Sequence, residues 1–320
     1  MIDFVKLTTT IQDKDNAFLS NLELESSHIL GWKNYILKGV TQDHKTLKVC
    51  INEVRDVIVI EGSLPYYWQG HNYSFGIDAL DECVQLINAL LGFDISEMQV
   101  VEFEYGKVLE VGHEPSRYIR DAYACEDSGL KNCSHKDWRN NLIRWESTDK
   151  IKCRGKNIPS FSLKMYDAKK NGNKKWNAVG KSCVAEGNHL KIELHHNAPS
   201  MLVGGKLYFG ELCSADFQEH LDEVLDSLLD KLSFSRKVSF RKKPTTQGVV
   251  FGYVFEDALN EGKHLEDVQS AMFAYIRGVD WFTAQDRSNR KRQMKKYISE
   301  VVQNTDNDDL KEELKKLICL

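Results

Sequence analysis

The sequence has no run of about 18 apolar residues, the length a helix needs to cross a bilayer, so it offers no membrane span. Its opening, Met1-Ile2-Asp3-Phe4-Val5-Lys6, carries an acid early and no long apolar stretch, and does not read as a secretory signal. The two absences predict a cytoplasmic protein. No two of the eight cysteines stand in a Cys-x-x-Cys pair, which leaves zinc ribbons and thioredoxin-like redox motifs without support. The thiols are expected to be mostly buried, as free cysteines in a reducing cytosol usually are. No Gly-x-x-x-x-Gly-Lys-Ser/Thr string occurs, which removes a helicase-type phosphate loop. There is no repeat of fixed period and no low-complexity run.

What remains is an ordinary globular composition. With 320 residues, 42% hydrophobic and 28% charged, the chain can build one large domain or two modest ones and is not a disordered polymer. The net charge of −4 conceals an uneven distribution: from Lys131 to Lys181 there are 14 Lys or Arg against 4 Asp or Glu. A basic stripe on an otherwise acidic chain suits a polyanion bound at one site.

Short β-branched segments predict strands over residues 5–11, 34–40, 46–51 and 57–61. The aromatic, glycine-punctuated stretch 66–76 reads as a loop or strand edge. Leu80, Cys83, Val84, Ile87 and Leu91 fall at helical spacing within 77–91. Strands follow at 99–108, 160–166 and 189–195, with helices at 116–124 and 217–232. A polar stretch around Pro244 marks a boundary, beyond which the chain reads as helical.

Three of these strands carry chemistry on one face. Strand side chains alternate with period two, and same-face neighbours lie about 6.5–7 Å apart. In Val101-Glu102-Phe103-Glu104-Tyr105 the two glutamates share a face opposite Val101, Phe103 and Tyr105. In Leu190-Lys191-Ile192-Glu193-Leu194-His195, Lys191, Glu193 and His195 share one. In Phe161-Ser162-Leu163-Lys164-Met165-Tyr166, Ser162, Lys164 and Tyr166 do. Alternation of this kind also describes antiparallel strands with one solvated face. If the three share a sheet, carboxylates, a lysine and a tyrosine gather on one side. Two carboxylates this close repel unless one is protonated or a cation sits between them, and hard oxygen ligands suit Mg2+ or Mn2+.

Several strings resemble those of the filamentous-phage-type rolling-circle replication initiators: Gln69-Gly70-His71-Asn72 with Phe75-Gly76, then Trp145-Glu146-Ser147-Thr148 shortly before a strand ending at Tyr166, and the opening Met1-Ile2-Asp3. The matches run in order to about Glu193. The resemblance implies an α+β fold, a central mostly antiparallel sheet with helices packed on one face, forming a nicking and closing domain over 1–245. A helical region for DNA binding or oligomerisation follows over 246–320. It implies metal-dependent cutting of one strand of an origin duplex and rejoining of the nicked single strand through a phosphotyrosine, in a bacterial host cell. Tyr166 would be the nucleophile, with Lys164 or the metal as the cation that eases its ionisation. Glu102, Glu104, Glu193 and His71 would be the metal ligands, with His71 equally able to hold its own loop. The family's Arg-x-Asp pattern reads Glu102-Phe103-Glu104 here, which leaves Glu104 the firmer ligand.

Asn72 can cap the turn after it or bond a base, and Lys169, Lys170, Lys174 and Lys175 flank the nucleophile on a strand-to-loop segment suited to the DNA backbone. Trp176 among them is either a stacking platform or core. Arg236–Lys243 is a second basic cluster, and Arg290 and Arg292 belong to a third, on an expected helix that either contacts duplex DNA or is a solvated face. Without a helicase motif the protein would need a host helicase and polymerase as partners. A relaxase or transposon nickase would share this chemistry. A DNA-binding regulator would share only the basic stripe.

Overall fold

The computed structural model describes residues 1–10, 16–27, 31–40, 45–73, 75–125, 128–132, 142–153, 155–177, 186–234, 238–240, 243–260, 265–303 and 309–318. The fold is α+β. Ten strands form one sheet, every neighbouring pair antiparallel. They are β1 (Ile2–Thr10), β2 (Glu23–Ser27), β3 (Trp32–Leu37), β4 (Leu47–Asn52), β5 (Val57–Ser63), β6 (Gln99–Glu110), β7 (Leu130–Asn132), β8 (Leu142–Ser147), β9 (Phe161–Asp167) and β10 (His189–His196). The spatial order is β2-β3-β4-β5-β1-β6-β10-β9-β8-β7. The β1–β6 pair is therefore central, with a meander of local hairpins to one side and the reactive strands to the other.

Two features of the β1–β6 pair depart from simple alternation. The register slips between Lys6 and Leu7, so that Val100 takes the buried place and Val101 is left 38% exposed. Val101 therefore does not share the buried face of Phe103 and Tyr105, as period two predicts. A second slip lies between Ile2 and Phe4, where Asp3 is the extra residue. Bulges of this kind re-aim a side chain.

After β5 come α1 (Leu64–Trp68) and α2 (Ile77–Leu91). The sequence pattern puts a break and a loop at residues 64–68. Pro65 instead sits in the first turn of a helix, where its fixed φ is no obstacle, and Leu64, Tyr66 and Tyr67 are buried. α3 (Ala168–Asn177) follows β9, in place of the expected basic loop, and α4 (Ala215–Asp230) follows β10. α2 buries Leu80, Cys83, Ile87 and Leu91, and α4 buries Leu221, Leu225, Leu228 and Leu229; both stripes belong to one large core with the sheet. Ser214 caps α4 by accepting from Phe217 N. Trp145, in the middle of a string that carries the resemblance, is fully buried in this core; Ser147 and Thr148 hold turns through Asp149 N and Gly129 O.

β11 (Val238–Phe240) and β12 (Val301–Gln303) pair, and between them run α5 (Thr246–Asn260), α6 (Leu265–Gly278) and α7 (Ala284–Ile298). These elements close a second, small cluster around Phe251, Phe255, Val268 and Val301. The expected helical region over 246–320 needs correction at both ends. The second cluster recruits Phe240 of β11, and α8 (Asp309–Ile318) returns to the first core through Leu310, Leu314 and Ile318. Lys315 pairs with Asp226 and Asp230 of α4, and Glu313 accepts from the Tyr118 hydroxyl. The chain's last described helix thus docks on the sheet domain.

Among the described residues Cys50, Cys83, Cys125, Cys153 and Cys213 are free thiols, of which only Cys83 is buried. Cys133, Cys183 and Cys319 lie outside the described residues, as do Arg236, Lys237, Arg241 and Lys242 of the second basic cluster. No described helix is long and apolar enough to cross a membrane.

His196, on the core face of β10, illustrates how burial sets a charge state. Its ring lies 5.6 Å from Phe103 and 5.9 Å from Phe161, and its Nδ1 has no hydrogen-bond partner. Burial, reinforced by neighbouring His195, pushes its pKa down to about 4. An unfolded imidazole protonates near 6.5, so the unfolded state binds the extra proton between those values. Stability from this group is intact above about pH 6.5 and is lost as pH falls from there through about 4. Replacing His196 by Phe should flatten that acid limb, seen as a smaller drop in melting temperature between pH 6.5 and 4. An unchanged acid limb would show that other groups carry it.

Candidate metal and nucleophile site

The face of β6, β10 and β9 opposite the helical core is only partly solvated: Lys191, Glu193 and Tyr166 are buried, and Glu102, Glu104, Lys164 and His195 are half-buried. The β9–β10 register sets Lys164 opposite Glu193 and Tyr166 opposite Lys191, and the β10–β6 register sets His195 opposite Glu104. Cross-strand neighbours in an antiparallel pair touch, and these do so as a chain of ion pairs. Lys164 Nζ lies 2.6 Å from Glu104 Oε1 and 2.8 Å from Glu193 Oε1. The Tyr166 hydroxyl donates to Glu193 Oε2 at 2.9 Å. His195 spans Glu104 Oε1 at 2.7 Å and Glu102 Oε1 at 2.9 Å. Gly106 stands opposite Glu193, and a Cβ there would come within 2.5 Å of Ile192 O, so only glycine allows the two strands this approach.

Asp3 joins them. At the β1 bulge its carboxylate pairs with Lys191 Nζ, which also lies 3.2 Å from Glu193 Oε2. Ser63 Oγ and Asn72 Nδ2 donate to the two oxygens of Asp3 at 2.7 and 2.8 Å. One carboxylate oxygen each from Asp3, Glu104 and Glu193 lies within 4.8 Å of the others, a group that can hold a metal ion. The donors are all carboxylate oxygens on three different strands.

The charges follow from this packing. Burial opposes ionisation of Glu104, but His195 and Lys164 outweigh it and draw its pKa down to about 2. Burial likewise opposes charge on Lys164 and Lys191, and the acids around each hold both ammonium groups above their ordinary value. His195 rises to about 9, against burial, through its bonds to Glu102 and Glu104. Burial and then the charge of Glu193 push Tyr166 well above the usual phenol value. Counted formally, four carboxylates (Asp3, Glu102, Glu104, Glu193) face three cations, and the phenol is held protonated. A divalent ion added to that set would leave one excess positive charge, which a phenolate would cancel.

No family model matches the chain, and no curated protein does.

Of the residues singled out in the sequence, Tyr166, Lys164, Glu104 and Glu193 meet in this cluster. Glu102 reaches it only through His195 and is not among the three converging acids. His71 is not among them either; its Nδ1 faces Gln69 Nε2 at 3.2 Å and Tyr73 N at 3.5 Å, which holds its own loop. Asn72 is buried against Asp3 and orients that carboxylate; the expectation that it meets a base gives way to this. Next to it, the Tyr73 hydroxyl donates to Ala168 O at 2.7 Å and ties the loop to the first turn of α3. Lys169 and Lys170 lie in that first turn, where Lys170 N donates to Asp167 Oδ1 and its exposed ammonium lies 3.4 Å from Asp167 Oδ2. Lys174 and Lys175 continue α3; their side chains, and that of Trp176, lie outside the described residues. Arg290 and Arg292 are exposed on α7, in the second cluster's unit.

Two members escape the strand-face argument as ligands or counter-ions. Asp3 sits on a bulge, where the period of two breaks, and its only sequence signal is the opening Met1-Ile2-Asp3. Lys191 lies on the expected polar face, yet nothing in the pattern shows it to be 1% exposed and bridging two acids.

Proposed function

We propose that the protein is a rolling-circle replication initiator, cutting one DNA strand and later rejoining it through a covalent bond between Tyr166 and a 5′ phosphate. The observation that carries the reading is the hydrogen bond from the Tyr166 hydroxyl to Glu193 at 2.9 Å, inside a cluster whose acids can hold a metal ion. The order of the Gln69-Gly70-His71-Asn72, Trp145-Glu146-Ser147-Thr148 and Tyr166 strings supports it independently.

In this reading Tyr166 Oη attacks phosphorus while Glu193 Oε2 takes the phenol proton, and the P–O3′ bond breaks. The departing 3′ oxygen takes a proton from the Lys164 ammonium and leaves as a free hydroxyl that can prime synthesis. Rejoining is the reverse: a 3′ hydroxyl attacks the phosphotyrosine and the phenol is restored. Magnesium or manganese held by Asp3, Glu104 and Glu193 would polarise the scissile phosphate and lower the cost of ionising the phenol. His195 locks Glu104 in place, and Asn72 and Ser63 lock Asp3. Half-buried Lys169 and exposed Lys170, at the start of α3, stand close to Tyr166 in the chain and would grip the backbone beside the cut. Strand separation and synthesis would fall to a host helicase and polymerase, and the work would be done in the cytoplasm.

The test is incubation with a supercoiled plasmid library and Mg2+ or Mn2+, followed by mapping of protein-linked 5′ ends. A single nick sequence linked to the Tyr166 peptide is expected. Nicks without linked protein, or none, would sink the reading. A second measurement follows the metal. Glu104→Gln should slow cleavage by roughly 10²-fold or more, with part of the rate returning at higher Mg2+ or Mn2+. A rate indifferent to metal concentration in the variant would count against metal binding at these acids.

A further inference from the structure

We infer that the unit built from α5, α6 and α7 is a grip for single-stranded DNA, with Trp281 stacking on an unpaired base and Arg290 and Arg292 holding the adjoining phosphates. The inference goes beyond the nicking reaction and takes from that reading only that the polymer is DNA.

Trp281 is 83% exposed and Tyr275 is 77% exposed, both on this unit. Large aromatic side chains left in water mark binding surfaces when they sit among complementary groups. Here they do. Trp281 stands edge-on to Phe282, with ring centroids 6.3 Å apart, and the Arg290 guanidinium lies 5.8 Å from the Phe282 ring. The aromatic pair and the basic helix are therefore one continuous patch.

The helix has no acid from Arg287 to Lys296, and Arg290, Arg292, Lys295 and Lys296 are all exposed. Its only acid, Asp286, is engaged in the capping box with Thr283 and offers nothing to a partner. The other side of α7 is anchored by Met294, Tyr297 and Ile298 against the second cluster, so the platform is held rather than floating.

Charge complementarity selects a polyanion, and the aromatic group selects its form. Bases in a duplex already have both faces covered, whereas an unpaired base offers a π-face to an indole. An arginine beside an aromatic ring adds a contact to the neighbouring phosphate. A strand displaced after nicking has this chemistry.

The experiment uses the full chain as Tyr166→Phe, without divalent metal, and a fluorescein-labelled oligothymidine of about 20 nucleotides. Cleavage and origin recognition then play no part, so a negative result leaves the nicking proposal standing, and the converse holds. Trp281→Ala should weaken binding roughly 10–100-fold with an unchanged salt slope, and Trp281→Phe should recover most of the loss. The Arg290→Ala, Arg292→Ala double variant should instead flatten the slope of log affinity against log salt by about 1.4. A duplex of the same length should be insensitive to Trp281→Ala. Unaltered oligothymidine binding by Trp281→Ala, an equal loss on duplex, or binding of anionic vesicles without oligothymidine would each overturn the inference. A matched melting temperature for Trp281→Ala confirms that the loss is not unfolding.

Discussion

Tyr166→Phe should cut strand cleavage by about 10⁴-fold or more while leaving DNA binding intact. The change removes one oxygen from a side chain that is otherwise packed, so it separates chemistry from architecture. What it deletes is the donor to Glu193 Oε2, and that oxygen keeps Lys191 Nζ at 3.2 Å. Loss of a single hydrogen bond to a charged acceptor costs about 1.5–3 kcal/mol, a shift in melting temperature that calorimetry will register without unfolding the protein at working temperature. The readout is the covalent complex on a denaturing gel. A Tyr166→Phe protein that still forms one on supercoiled DNA would remove this residue from the mechanism. Because burial and Glu193 hold the phenol protonated, the wild-type reaction should also require divalent metal at neutral pH.

Glu193→Gln should be the most damaging single change to the site, because it strikes function and stability together. Glu193 touches Lys164, Lys191 and the Tyr166 hydroxyl, and it is one of the three converging acids. Removing its charge leaves Lys191, fully buried, with Asp3 alone, and Lys164 with Glu104 alone. Breaking one partner out of a buried ion pair costs about 3–5 kcal/mol, since the other charge stays out of water. Adding Lys191→Met to Glu193→Gln should lower stability further, because it takes the ion-pair partner from buried Asp3 and leaves that carboxylate with the hydrogen bonds of Ser63 and Asn72, and cleavage should stay absent. Urea denaturation of the two variants beside an activity assay makes the comparison. If the double variant were as stable as the single one, the ion-pair account of this cluster would fail.

The readable part of the site is the part that obeys a period. Glu104, Glu193, Lys164 and Tyr166 each sit in a strand whose alternate residues are apolar, and that alternation places each on the polar face of its own strand. The helices at α2 and α4 are legible for the same reason, with apolar stripes at helical spacing. The strands β7 and β8 and the first turn of α3 are not: short segments carry too few residues to display a period, and the lysines of α3 suit a loop as well as a helix. In the string Gln69-Gly70-His71-Asn72, His71 looks like a metal ligand and Asn72 like a turn cap or base contact, yet one holds its own loop and the other props Asp3.

By itself, the sequence determined that a phenol and an ammonium on one strand, and a carboxylate on each of two others, stand opposite apolar residues, because side-chain direction along a strand depends only on counting residues. Only the tertiary structure decided that these strands are neighbours with Lys191, Glu193 and Tyr166 buried between them, that a bulge turns Asp3 into the cluster with Lys191 as its counter-ion, and that the last described helix returns to the first core. Those outcomes depend on which strands become neighbours and where their registers slip, and such long-range pairings leave no mark in the local pattern.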